Sequence, residues 1–216
     1  MKTIENDSLV KQLEWRYATK KFDPAAKIPE QDWQTLKEVL RLSPSSYGLS
    51  PWRFIVVQNP QLRKQLRAAS FNQSQVEDCS HLVVFTALRE ITEDYVRAFV
   101  RKTSEVRSVP ESQLQDLQNM MVNALVKGPN SQVSGYWAQK QAYIALGMLL
   151  EAAVVLGIDA CPMEGFDPSQ HEKILGLSQS VYKPVAMVAL GYRSKDDAYQ
   201  RAKKVRFGIE EVLEVR

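Results

Sequence analysis

The side chains of this sequence that could do chemistry together are cations, amides and hydroxyls rather than an acid–base pair. Near the start, Trp15-Arg16-Tyr17-Ala18-Thr19-Lys20-Lys21-Phe22-Asp23-Pro24 carries a basic cluster. Arg16 and Lys20, four apart on one helix face, could grip a single phosphate. The same cations would also sit favourably at a helix C-terminus, at about 0.3–1 kcal/mol each. Near the end, Lys204 and Arg206 alternate with Val205 and Phe207, so an extended segment puts both charges on one side, as a solvated tail could too. Asn72 and Gln75 offer donors and acceptors that suit a ring with C=O and N–H edges, or plain surface solvation.

Two stretches could bring backbone groups to a ligand. Ser43-Pro44-Ser45-Ser46-Tyr47-Gly48-Leu49-Ser50-Pro51-Trp52 is built of turn formers flanked by aromatics, and reads either as a helix-to-strand loop or as a hydroxyl-bearing ligand loop. Pro162-Met163-Glu164-Gly165 pairs a fixed φ with a free one, so N–H groups can face a ligand unobstructed; an ordinary turn has the same makeup. No Gly-x-Gly-x-x-Gly follows a strand and there is no P-loop. Two cysteines, Cys79 and Cys161, and two histidines match no metal or redox spacing.

These groups need elements to hold them. Residues 28–42 read as a helix with Trp33, Leu36, Val39 and Leu40 at helical spacing. Residues 54–57, 81–88 and 183–190 read as buried strands. Ser8 is the expected cap of a first helix carrying Leu9, Leu13 and Trp15 towards a core, and Asn59-Pro60 opens another. Residues 91–127 read as two helices parted near Pro110. A long helix from Ser131 to about Leu156 has Gly135 and Gly147 as expected close-packing points, with Gln141 and Ile144 buried. Asp167-Pro168 caps a short helix, and the residues after Gly208 read as a strand-like ending that docks on a sheet.

The chain has 216 residues, 44% hydrophobic and 25% charged, with a net charge of +3. That balance suits one soluble globular domain over 1–216 and is too weak and dispersed to argue for nucleic acid. No signal peptide and no membrane span of roughly 20 apolar residues is read, so a cytoplasmic location is expected.

Anion grips at both chain ends, an amide pair and two backbone-exposing loops suit a ligand with a phosphate at one end and a polar-edged flat ring at the other. Flavin mononucleotide (FMN) has that shape. Five segments carry a resemblance in the right order: Arg16 to Asp23, Ser43 to Trp52, Phe71 to Gln75, Pro162 to Asp167, and Lys204 to Phe207. Through them the chain resembles the nitroreductase family of FMN-dependent NAD(P)H oxidoreductases, in the oxygen-insensitive nitroreductase and dihydropteridine reductase branch.

The resemblance implies an α+β fold: a mostly antiparallel central sheet surrounded by helices, in an intertwined homodimer with exchanged C-terminal strands. It puts Arg16, Lys204 and Arg206 at the phosphate, and Tyr17 and Ala18 where the family often has His or Arg followed by Ser. Lys20 falls near the ring N1 and O2, Asn72 and Gln75 at the pyrimidine edge, and Pro162, Met163, Glu164 and Gly165 at N5 and O4. Lys20 and Glu164 would tune the ring. Pro44, Ser45, Ser46 and Gly48 fall in a loop that reaches the flavin from the other subunit, with Gln141 near the site across the interface. Phe99, Met120 and Asn123 are candidates for the substrate face. The implied activity is a ping-pong hydride transfer from NADH or NADPH to nitroaromatics, quinones or related acceptors, with no obligatory protein acid or base. A pteridine, flavin or quinone reductase with incidental nitroreduction, or a flavin-binding protein without turnover, remains open.

Overall fold

The computed structural model describes residues 4–216. Its elements in chain order begin with α1 (Asn6–Trp15), α2 (Glu30–Leu42), β1 (Trp52–Val57), α3 (Pro60–Ala68), α4 (Gln75–Asp78) and β2 (His81–Leu88). There follow α5 (Glu93–Arg107), α6 (Gln115–Val122), α7 (Ser134–Val155), β3 (Asp159–Met163), α8 (Pro168–Ile174), β4 (Tyr182–Gly191) and α9 (Ile209–Val212). The fold is α+β. The four strands form one antiparallel sheet in the order β1-β2-β4-β3.

Alternation along the strands divides the core into two layers. Val83, Phe85, Val188 and Leu190 face α2 and α7, where Trp33, Leu36, Leu40 and Leu149 close the packing. Leu82, Val84, Cys161, Met163, Met187 and Ala189 face the other way, onto Leu66 of α3 and Val76 of α4. Helix starts follow local chemistry. Asn59 accepts from the Leu62 N–H with Pro60 at the first position, and Asp167 accepts from Ser169 and Gln170 ahead of Pro168.

Several expectations change. α1 starts at Asn6 with Glu5 as its cap, so Ser8 lies inside the helix, and Leu13 and Trp15 are exposed rather than turned into a core. The segment expected as a turn after Ile158 begins as β3: pairing with β4 satisfies its backbone despite Pro162, which sits on an edge strand where a missing N–H is tolerated. Gly135 is a close-packing point, since a Cβ there would collide with the Arg89 carbonyl, but Gly147 has open space around it. Ile144 is exposed while Gln141 is buried. Ile209–Val212 forms one helical turn instead of an extended ending, with Glu211 reaching back to the Gly208 N–H. Among the described residues no helix is long and apolar enough to cross a membrane.

Candidate functional site

α1 ends at Trp15, and Arg16 is already extended (φ −71°, ψ 144°). Arg16 and Lys20 therefore share no helix face. They meet because residues 18–22 run along the outer edge of β3, with a parallel bridge from Ala18 to Ala160 and an antiparallel one from Phe22 to Arg193. The tail comes back beside them. Arg16, Tyr17, Ala18, Lys20, Lys204 and Arg206 all line one cavity of about 360 Å³. Burial and then the neighbouring Arg206 charge lower the Arg16 pKa. Burial, Arg16 and Arg206 lower that of Lys204, whose ammonium donates to the Arg16 carbonyl. Cations that destabilise one another in this way form a receptor for a multiply charged anion, which would relieve the repulsion.

Two buried carboxylates brace this cavity, and neither was singled out in the sequence. Asp197 accepts through one oxygen from the Tyr17 hydroxyl at 2.9 Å and from the Lys20 and Lys21 N–H groups at 2.8 and 3.0 Å. Its other oxygen accepts from the Tyr199 N–H at 3.0 Å. Burial and this hydrogen bond push the Tyr17 phenol up to about 12, so it stays a donor. Asp159, 4% exposed, holds the Arg193 guanidinium and backbone N–H. The guanidinium in turn lies over the Trp15 and Tyr17 rings, 4.2 and 4.6 Å from their centroids.

From the cavity the candidate site continues over β3. Burial pushes the Cys161 thiol up, while Lys20, a hydrogen bond with Gln75, and Arg16 pull it back, so this one side chain is in reach of both the cations and the amide. Gln75 is buried at the start of α4. Asn72 is exposed in the left-handed region (φ 57°), and among the described residues its carboxamide has no protein partner. The unforeseen amide is Gln73. Its Nε2 donates to the carbonyls of Ser70 at 3.1 Å and Gly165 at 2.8 Å, tying the 70–75 turn to the Glu164-Gly165 corner. A Cβ on Gly165 would stand 3.1 Å from that amide nitrogen. Among the described residues no protein group accepts from the N–H of Glu164 or Gly165, while the Glu164 carboxylate accepts from the Tyr143 hydroxyl at 2.6 Å. Burial and this bond raise the Tyr143 pKa.

The serine loop is built elsewhere. Ser45 Oγ accepts from the Ser50 N–H at 2.8 Å, and Tyr47 and Gly48 both take positive φ. Buried Gln141 accepts from the Ser46 N–H at 2.9 Å. Phe99 packs against Gly48, where a Cβ would sit 3.4 Å from the ring; Met120 and Asn123 are exposed on α6 and the π turn after it. Gln141 and Tyr143 are two residues apart on α7, hence roughly 200° around its axis. Within one chain, then, Pro44–Gly48 and Glu164 stand on opposite sides of α7. The structure gathers Arg16, Tyr17, Ala18, Lys20, Lys204 and Arg206 at one cavity and ties the 70–75 turn to the Glu164-Gly165 corner, while the serine-loop candidates stand apart.

A family model described as the nitroreductase family matches residues 13–192. A provisionally named NAD(P)H nitroreductase of Staphylococcus epidermidis is 38% identical over 210 residues, covering 92% of this chain and 94% of its own. A nitroreductase-like protein of Streptococcus mutans superposes with a TM-score of 0.83 at 18% identity, covering 98% of this chain and all of its own. A nitroreductase of Exiguobacterium sibiricum, also provisionally named and solved in complex with FMN, gives 0.78 at 20% identity, with 100% and 99% covered. With most of its length matched by the family model and by a relative of nearly equal size, the chain belongs to the nitroreductase family.

Proposed function

We propose that this chain is an FMN-dependent oxidoreductase that takes electrons from NADH or NADPH and delivers them to nitroaromatics, quinones or related oxidised small molecules. The observation that carries the reading is the convergence of Arg16, Lys204 and Arg206, from opposite ends of the sequence, on one cavity. The names of the relatives support the reaction class, and the FMN complex of the Exiguobacterium protein supports the cofactor.

The donor set fits FMN. Three mutually repelling cations suit a phosphate dianion, with bidentate contacts available from the two arginines. Lys20, Gln75 and Asn72 follow at the pyrimidine edge. The two N–H groups of Glu164 and Gly165 are free to donate at the corner that Gln73 fixes. FMN, when bound, supplies the hydride chemistry at its N5, and the protein supplies binding, orientation and electrostatics. Lys20 would favour negative charge on the reduced ring, and the Tyr143 hydroxyl holds the Glu164 carboxylate in place beside it.

We further propose that the whole chain acts as one flavin-binding domain in a homodimer in the cytoplasm. The position of Pro44–Gly48 across α7 from Glu164 supports a loop that completes the site of a second copy. So does the exposed apolar surface of Leu13, Trp15, Ile144 and Met148. Two free, buried cysteines suit a reducing compartment.

A visible spectrum of the purified protein, taken anaerobically before and after NADH or NADPH, tests the reading. Flavin absorbance that bleaches on addition of one nucleotide is expected. Protein that takes up no FMN, even when FMN is supplied, would reject it.

A further inference from the structure

The cation cavity has two walls far apart in sequence, and one buried side chain touches both. Asp197 is 2% exposed. Through one carboxylate oxygen it fastens Tyr17, Lys20 and Lys21, and through the other it caps the turn at Tyr199 that starts the segment leading to Lys204 and Arg206. Tyr17 and Asp197 are 180 positions apart. Other bonds run beside the carboxylate, from the Ser194 N–H to the Lys21 carbonyl at 2.8 Å, from the Lys21 ammonium to Asp196 at 3.5 Å and from the exposed Lys204 ammonium to the Arg16 carbonyl, but among the described residues Asp197 is the buried side chain that accepts from both walls. Burial works against the charge on Asp197, and the N–H groups of Lys20, Lys21 and Tyr199 with the Tyr17 hydroxyl outweigh it, leaving the carboxyl below its usual range.

We propose that Asp197 is a positioning residue for the anion cavity. Its carboxylate latches residues 16–21 to residues 197–206 and so sets the spacing of Arg16, Lys204 and Arg206 on which preference for a phosphorylated ligand depends. The inference rests on the reading of that cavity as the FMN phosphate site. It makes a prediction opposite in sign to simple electrostatics. Removing a negative charge from the neighbourhood of three cations should strengthen anion binding if the charge itself matters most. Removing the latch should weaken it, because a carboxamide has one acceptor oxygen where the carboxylate has two, so it leaves the donors of one wall facing an NH2 and the walls part.

The test compares FMN with riboflavin, which has the same ring and no phosphate. Flavin fluorescence quenching gives both dissociation constants for the wild-type protein and for Asp197→Asn, with thermal midpoints recorded alongside. The latch predicts FMN affinity lowered by about ten-fold or more, equivalent to at least about 1.4 kcal/mol, with riboflavin affinity within about two-fold of wild type. FMN binding unchanged or tightened in the variant overturns the latch. An equal loss for both flavins also overturns it, because that pattern marks general damage. If Asp197→Asn does not fold, Tyr17→Phe carries the test: it removes one bond to the same oxygen and should lower the FMN-to-riboflavin preference by a smaller factor. An unchanged preference there overturns the proposal. A wild-type protein that holds riboflavin as tightly as FMN fails the phosphate reading itself, which a wild-type preference retained in the variant would not.

Discussion

At the cation cavity a single chain supplies both walls and the buried carboxylates that hold them, whereas Pro44–Gly48 is a shaped loop seated on Gln141 and Phe99, across α7 from Glu164. The first region is fixed by charge and by bonds that span most of the sequence. The second is fixed by short-range bonds within the loop, by one buried amide from α7 and by the Tyr95 hydroxyl of α5, which donates to the Leu49 and Ser50 carbonyls. On the proposed reading, recognition of the phosphate is a property of the protomer, and coverage of the ring is a property of whatever stands against the loop.

Substitutions can break this contrast in order of expected size. Asp159→Ala leaves the Arg193 guanidinium without its partner beneath the Trp15 and Tyr17 rings. Removing one member of a buried pair costs about 3–5 kcal/mol, so a clear fall in thermal midpoint is expected, together with weaker FMN binding. Arg206→Ala removes one charged donor and should weaken FMN binding by about 1.5–3 kcal/mol with the thermal midpoint of the apoprotein unchanged. Full FMN retention in that variant would reject the phosphate role.

A pH titration sharpens the contrast at the ring-edge turn, which a histidine anchors. His171 Nε2 meets Ser70 Oγ at 2.9 Å, and Ser70 Oγ itself donates to the Leu66 carbonyl at 2.7 Å, so the imidazole supplies the proton between them. Its Nδ1 is buried without a partner. Burial drives the His171 pKa down to about 4 from 6.5. The unfolded chain therefore binds more protons than the folded one between those values, and stability rises with pH across that window. The slope should approach about 1.4 kcal/mol per pH unit for this group, and His171→Phe should flatten denaturation curves measured from pH 4 to 6.5. Ser45→Ala should have the smallest effect, about 0.5–1.5 kcal/mol, by releasing the Ser50 N–H. Any accompanying loss of activity without loss of FMN would mark the loop as a cover for the ring.

Legibility in the sequence followed the range of the forces involved. β2 and β4 were plain because both faces of a central strand are buried, which leaves a continuous apolar run. β3 was not, because Asp159, Cys161 and Pro162 lack strand character and the strand exists only through pairing with β4. Leu13 and Trp15 have helical spacing but lie exposed, since periodicity does not say what covers a helix. In the candidate site, Arg16, Lys20, Lys204 and Arg206 were visible as cations within recurring motifs. Their supports were not. Asp197 lies in the charged stretch Lys195-Asp196-Asp197, where nothing local separates a buried carboxylate from its solvated neighbour Asp196. Gln73 lies within the Phe71–Gln75 segment, but its role depends on a carbonyl 92 positions away. A capped helix announces itself within four residues; a contact that closes most of the chain leaves no such mark.

That span has a consequence in time. Closing a long loop costs entropy before any contact rewards it, and a chain made from its N-terminus cannot form a bond to a residue not yet synthesised. The sheet and its two layers can assemble once residues up to Gly191 have emerged. The bonds from Tyr17, Lys20 and Lys21 must wait for Asp197, and the cavity for Arg206 beyond it. A growing chain would therefore hold a folded core while still unable to retain a phosphorylated ligand. On the proposed reading, competence to bind the phosphate would arrive only once Arg206 has emerged, and protein broken off before residue 197 would lack it however well its core had folded.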